Sequence, residues 1–186
     1  PRLSATLVNG LMSRSDPRID ILGVLPENGG EHNGLPNGLD ETTLADNPTG
    51  TNLNDFDRIN PNIVSVSSPM MFMTSAEAQL LAAEAAVRGW GSGDAASLYA
   101  AGVSNAMNQW AHYDAALAVD PSVITDYLAA NPFDEGDAMA QIGWEYWMAT
   151  FLNEYEAFAN IRRSGHPELT PVDYAGNVTN GQLPKR

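Results

Sequence analysis

Glu77 and Glu84 lie seven residues apart in a run of helical period, so a helix there would carry two carboxylates on one face. Glycoside hydrolysis needs such a pair, one group protonating the leaving oxygen while the other attacks or activates water. Glu77, however, also stands three residues after Thr74, the spacing of a capping box. Under that reading Glu77 closes the start of its helix and Glu84 is a helix-surface or inter-helix hydrogen-bonding group, and we prefer it. Glu154 and Glu156, two apart on a helix, point away from each other and form no pair. Asp134, Glu135 and Asp137 gather oxygens before a helix, as a calcium loop does, but EF-hand spacing is absent and acids at a helix start are stabilising without a metal. His32, His112 and His166 lack zinc-ligand spacing, and no nucleophile elbow or glycine-rich phosphate loop occurs. The residues therefore point to no catalytic group, no metal and no cofactor; an enzyme is not expected.

Composition narrows the partners. Nine Lys plus Arg against 23 Asp plus Glu give a net charge of -14, a field that repels nucleic acid and anionic membrane surfaces. Cysteine is absent, which removes disulfides, thiolate metal sites and a cysteine nucleophile. No apolar run approaches the roughly 20 residues of a membrane span, and no basic n-region marks a signal peptide. A start at Pro1 rather than Met suggests a processed or truncated product. With 186 residues, 44% of them apolar, the chain can bury a core of its own.

The elements that must position any site divide near Pro69. Residues 1–68 open with a short helical pattern (Leu3, Leu7, Leu11) and then read as loop, broken by Gly29-Gly30, Gly34, Pro36, Gly38, Pro48-Thr49-Gly50 and Asn60-Pro61. So long a loop is unusual in a compact domain and suggests a functional surface or packing against absent chain. Residues 69–186 read as helical. One helix starts at Thr74, carries Ala76, Leu80, Ala83 and Val87, and stops at Gly89. The next runs from Asp94 to Trp110 with Tyr99, Val103, Ala106 and Trp110 in a stripe. Alanines 82, 83, 85, 86, 95, 96, 100 and 101 are expected to line the contact and let the two axes approach closely. Asp120-Pro121 caps a short helix that ends at Asn131-Pro132. A fourth carries Met139, Ile142, Tyr146 and Ala149; a last one carries Tyr155, Phe158 and Ile161 and ends at Arg162-Arg163 before Gly165 and Pro167. The fold class is all-α, helical hairpins with long loop-rich segments.

Several of these stretches resemble one family. Met73-Thr74-Ser75-Ala76-Glu77 with the following Leu80-Leu81-Ala82-Ala83-Glu84-Ala85 is similar to the M-T-x-A-E and L-x-x-A-E-A helix of SusD/RagB-type lipoproteins. Gln141-Ile142-Gly143-Trp144 through Ala149 resembles that family's Q-K-W-I-A helix, with Gly143 and Tyr146 departing from the pattern. Tyr155-Glu156-Ala157-Phe158 through Arg162-Arg163-Ser164-Gly165-His166-Pro167 resembles its E-A-W-x-x-x-R-R-T-G-x-P element, with Phe158 in place of Trp. Asp16-Pro17-Arg18 and Gly34-Leu35-Pro36-Asn37-Gly38 are similar to its D-P-R and G-x-P-x-G loops, and Leu183-Pro184-Lys185-Arg186 to its closing I-P-x-R strand. The order of the matches is more specific than any one of them. The resemblance implies a tetratricopeptide-like scaffold forming the C-terminal third or so of a longer protein. It further implies a lipid anchor upstream, a place on the extracellular face of the outer membrane, and a TonB-dependent outer-membrane transporter of the SusC type as partner. The implied activity is non-catalytic capture of an oligosaccharide or other oligomeric nutrient.

Sugar rings are recognised by apolar faces and by amide or carboxylate edges. Trp144, Trp147, Tyr155 and Phe158 have the spacing of core stripes, and packing is also the expectation for Trp90 and Trp110. The candidates for ligand contact are the loop residues His32, Asn33, Asn37 and Phe56, against the alternative that they only shape the loop. Two other functions compete: a helical-repeat module that binds peptide, which the loop-rich first third opposes, and a glycoside hydrolase, which lacks a loop-borne carboxylate pair.

Overall fold

The computed structural model describes residues 1–172, 174, 176–179 and 181–182. The chain forms two compact units, Pro1–Val64 with Leu169–Arg186, and Ser65–Glu168. The closing Leu183-Pro184-Lys185-Arg186 motif lies outside the described residues.

In the first unit, α1 (Ala5–Ser13) starts where the Ser4 hydroxyl accepts the Leu7 N–H at 3.3 Å, and it buries Leu7, Val8 and Leu11. This is the face expected from the leucine spacing. Helix α2 (Arg18–Leu22) leads into β1 (Gly23–Val24), which pairs antiparallel with β2 (Arg58–Ile59), Gly23 opposite Ile59. Residues before α1 are threaded between two partners: Leu3 donates to Asp57 and its carbonyl accepts Leu35 N–H, at 2.9 and 2.8 Å. Gly34 sits against this strand so closely that a Cβ would lie 2.5 Å from Ala5 Cα, which explains the glycine. The stretch expected to be plain loop is more ordered than its composition suggests. Helix α3 (Glu41–Ala45) is closed by Asp40 and the turn Leu53–Asp55 by Asn52, each through a capping box. The Asn and Asp residues that read as loop formers thus act as caps in short elements, because their side chains replace missing backbone partners.

The second unit is helical. α4 (Ser75–Val87) and α5 (Ala95–Asn108) pack face to face, and α7 (Ala138–Ala149) lies against both. α6 (Pro121–Ala130) packs on α5, and α8 (Glu154–Ser164) packs on α7. The sequence signals at the ends hold: Thr74 and Glu77 form a reciprocal capping box, Asp120 caps α6 above Pro121, and Gly89 and Gly165 take left-handed φ of 70° and 79° just past α4 and α8. The core joins Leu80, Tyr99, Val103, Met107, Ile142 and Tyr146.

Two expectations about packing are corrected. Of the eight alanines assigned to the α4–α5 contact only Ala83 is buried; Ala76, Ala83, Ala106 and Gly102 are the small residues inside. At Gly102 an added Cβ would come within 2.6 Å of Leu80 Cγ, so one glycine, not an alanine row, sets the approach. The aromatic residues of α8 also face outward: Tyr155 is 90% exposed and Phe158 42%, while Trp144 is buried. The only buried residue of α8 is Asn160. Trp90 is likewise 75% exposed, under the Arg88 guanidinium at 5.0 Å, whereas Trp110 is fully buried beside Tyr113 and Phe151.

Candidate functional site

The two glutamates that opened the catalytic question are both engaged structurally. Glu77 Oε1 accepts the Thr74 N–H at 2.8 Å, and burial raises its carboxyl above the usual range, against the Thr74 bonds and with the help of the nearby Glu156 charge. Glu84 accepts from Arg163 through both carboxylate oxygens, at 2.5 and 2.7 Å, and from Arg88 Nε at 2.8 Å. The Arg163 hydrogen bonds hold the Glu84 carboxyl below its ordinary value, over the opposing effect of burial. Tyr146 completes this corner of α4, α7 and α8: its hydroxyl donates to Glu156 at 2.8 Å, and burial and that partner push its ionisation far up. These groups bind helices to one another. The acidic turn before α7 is also structural in what it shows: Asp134 Oδ1 accepts the Gly136 N–H at 2.8 Å, while Asp137 at the N-cap makes no side-chain cap bond.

In the first unit two of the loop residues selected from sequence, His32 and Asn33, meet at Asp57. His32 Nδ1 lies 2.6 Å from Asp57 Oδ2 and Nε2 lies 3.1 Å from Asp20 Oδ1, so the ring spans two carboxylates. Burial works against the charge of this imidazole, but the bonds to Asp57 and Asp20 and their negative charge outweigh it and raise His32 above its ordinary value. Asn33 donates its backbone N–H to Oδ1 of the same Asp57 at 3.1 Å, and its Nδ2 donates to the carbonyls of Thr49 and Asp55 at 2.8 and 2.7 Å. Phe56 is wholly buried, and a Cβ on Gly50 would meet its ring edge at 2.9 Å. Asn37 alone of the four is exposed, beside Gly38 with φ of 87°. Under this arrangement Asp16 and Arg18 form a fully buried pair, Nη2 to Oδ2 at 2.5 Å and Nε to Oδ1 at 2.9 Å, which holds the turn into α2.

A pocket of about 270 Å³ opens in the second unit where the start of α4 meets the end of α5. Met71 and Met73 supply thioethers to it, and Thr74 and Ser75 supply hydroxyls. Facing them are Asn105, Asn108 and Gln109 with His112, the last two from the turn Gln109–His112 that continues α5. No side chain in the lining is a carboxylate, guanidinium or ammonium group. Gln109 is held by Nε2 donating to the Ala149 carbonyl at 3.2 Å, while its buried Oε1 has no partner among the described residues. Residues 71–75 and 105–112 are too far apart in sequence for their convergence to be read from either segment; the signal was the polar Asn105-x-x-Asn108-Gln109 run at the end of an otherwise apolar stripe. Among the described residues no cluster of His, Asp and Glu could hold a metal ion, and no helix is long and apolar enough to cross a membrane.

The chain thus combines a unit of packed helical hairpins, which carries an amide-lined pocket, with a unit of short capped elements. The chain belongs to the SusD-like family described as starch-binding and associating with the outer membrane, whose model matches residues 2–186. It is similar to the solved structure of a chitin-binding protein at 31% identity and a TM-score of 0.89, covering 100% of this chain and 42% of that one. A SusD homologue from Bacteroides fragilis is 22% identical with a TM-score of 0.80, over 98% of this chain and 44% of that one. A Bacteroides vulgatus outer-membrane protein described as putative and involved in nutrient binding gives 20% and 0.77, over 94% and 42%. These last two likenesses show the fold alone. The chain spans less than half the length of the structures it matches. No curated protein matches it significantly.

Proposed function

We propose that this chain is part of a surface glycan-binding lipoprotein that captures an oligosaccharide without turning it over and passes it to a TonB-dependent outer-membrane transporter. The observation that carries this reading is the match of the family model to nearly the whole chain. The engagement of Glu77 with Thr74 and of Glu84 with Arg163 supports the non-catalytic part, since neither carboxylate is left to act on a substrate. The extracellular face and an upstream lipid anchor follow from the same family reading. Because the 31% identical structure is a chitin-binding protein, oligomers of N-acetylglucosamine are the first ligands to try. Of the four loop residues, Asn37 is proposed to touch ligand directly, while His32, Asn33 and Phe56 hold the loop that presents it.

The experiment is calorimetric titration of the full-length protein with chito- and malto-oligosaccharides, with product analysis on the same samples. Saturable binding with intact ligand supports the reading. Cleaved product would move the protein to the hydrolases, and no binding to any glycan would remove the oligosaccharide part of the proposal.

A further inference from the structure

The pocket between the start of α4 and the end of α5 has a composition that selects among ligands. The chain carries a net charge of -14, yet the lining of this pocket holds no ionic side chain. Cationic ligands find no carboxylate there, and anions are opposed by the field of the whole chain. What the lining offers is hydrogen bonding without charge. The side chains of Asn105, Asn108 and His112 make no hydrogen bond within the described residues. Each carboxamide carries two donors and an acceptor, so these groups can pair with hydroxyls or amides of either polarity. The buried Gln109 oxygen without a partner is an unusual feature in a folded protein, where such groups are nearly always satisfied. Against these polar groups stand the Met71 and Met73 thioethers, soft surfaces suited to C–H faces. About 270 Å³ lies at the low end for ligand sites and is of the size of one ring, not of an oligomer.

Two points of the wall are tied down. The Thr74–Glu77 capping box holds one rim, and Gln109 bonded to Ala149 of α7 holds the other. A site held by caps and core hydrogen bonds loses little freedom when it binds.

From the convergence of unpartnered amides, thioethers and an uncharged lining we infer that this pocket is a subsite for one uncharged sugar ring of a longer glycan. The inference rests on the glycan-binding reading above and adds to it a place of contact in the helical unit.

The test uses the full-length protein and its Asn108→Ala and His112→Ala variants, both exposed positions whose truncation leaves the core intact. Chitotetraose, maltotetraose and a tetra-uronate are titrated into each, with melting temperatures recorded alongside. The expected result is binding of a neutral tetrasaccharide that weakens roughly three- to tenfold in each variant, as loss of one ligand hydrogen bond does, with no change in melting temperature. Equal affinity of wild type and both variants for a neutral tetrasaccharide overturns the subsite while leaving the glycan-binding reading in place. Uronate binding that is sensitive to the same variants overturns the neutral-ring assignment. Failure of the wild type to bind any of the three removes the glycan-binding reading and the subsite together.

Discussion

Arg163 of α8 lays both terminal guanidinium nitrogens against the Glu84 carboxylate of α4, 79 residues away, at 2.5 and 2.7 Å. The two residues belong to separate motifs of the family resemblance, and the structure shows why both are needed: one is the carboxylate and the other the fork that fits it. Arg88, one turn after Glu84 on α4, adds a third donor at 2.8 Å. Arg163→Lys keeps the charge but loses the paired geometry, because an ammonium is a point charge. We expect a loss of about 1–3 kcal/mol in stability, read as a lower urea midpoint with unchanged slope. A midpoint equal to wild type would show that the fork contributes nothing.

Glu84 also sets an acid response. Its carboxyl is lowered from the ordinary 4.5, so the stabilisation it gives is present above that value and is lost as pH falls through the lower folded-state value. Comparing melting temperatures of wild type and Glu84→Gln, the gap is expected to be widest near neutrality and to narrow below pH ~4.5. A gap independent of pH would mean that packing, not charge, is responsible.

His32 runs the other way. Its imidazole is raised above 6.5, so its contribution is complete below that pH and disappears as pH rises through the folded-state value. NMR titration of the ring should give a midpoint above 6.5, and Asp57→Asn should bring it down. The variant tests the cause, since Asp57 is the partner on Nδ1 at 2.6 Å.

Gly143 departs from the family pattern, and α7 shows what it accommodates. A Cβ at this position would collide with the His166 side chain and lie 3.1 Å from the His166 carbonyl carbon. Gly143→Ala would ordinarily gain up to about 1 kcal/mol in helix propensity. Here the backbone of residue 166 must move, so we expect a net loss of about 1–3 kcal/mol from overpacking. A variant melting above wild type would show that this contact relaxes freely.

The two exposed and buried tryptophans give a last contrast. Trp110→Ala removes a fully buried side chain and should cost about 3–5 kcal/mol, whereas Trp90→Ala, three-quarters exposed, should stay within about 0.5 kcal/mol. Chemical denaturation of the two variants decides it; equal losses would mean that Trp90 is covered in the full-length protein.

What the sequence determined by itself was local. Thr74-x-x-Glu77, Asp120-Pro121, Gly89 and Gly165 act through the few residues on either side, so helix ends were legible one segment at a time. The stripe from Tyr99 to Trp110 was legible for the same reason, since a 3.6-residue period needs no partner to be seen. The helical periods carried the all-α class, and the family motifs its tetratricopeptide-like form. Tertiary structure decided what each face meets. Periodicity gave the Tyr155–Phe158 face of α8 a core-like spacing, but that face is exposed and α8 buries Asn160 instead, with the half-exposed Arg163 pairing with Glu84 of α4. Small residues could be counted along α4 and α5, but only the crossing selected Gly102 opposite Leu80 as the point of closest approach. The candidate loop was found by composition, yet that His32 and Asn33 are engaged depended on Asp57 and Asp20, partners distant in sequence. The pocket could not be read from either segment for the same physical reason: it exists only where residues 71–75 and 105–112 are brought side by side by the packing of α4 on α5.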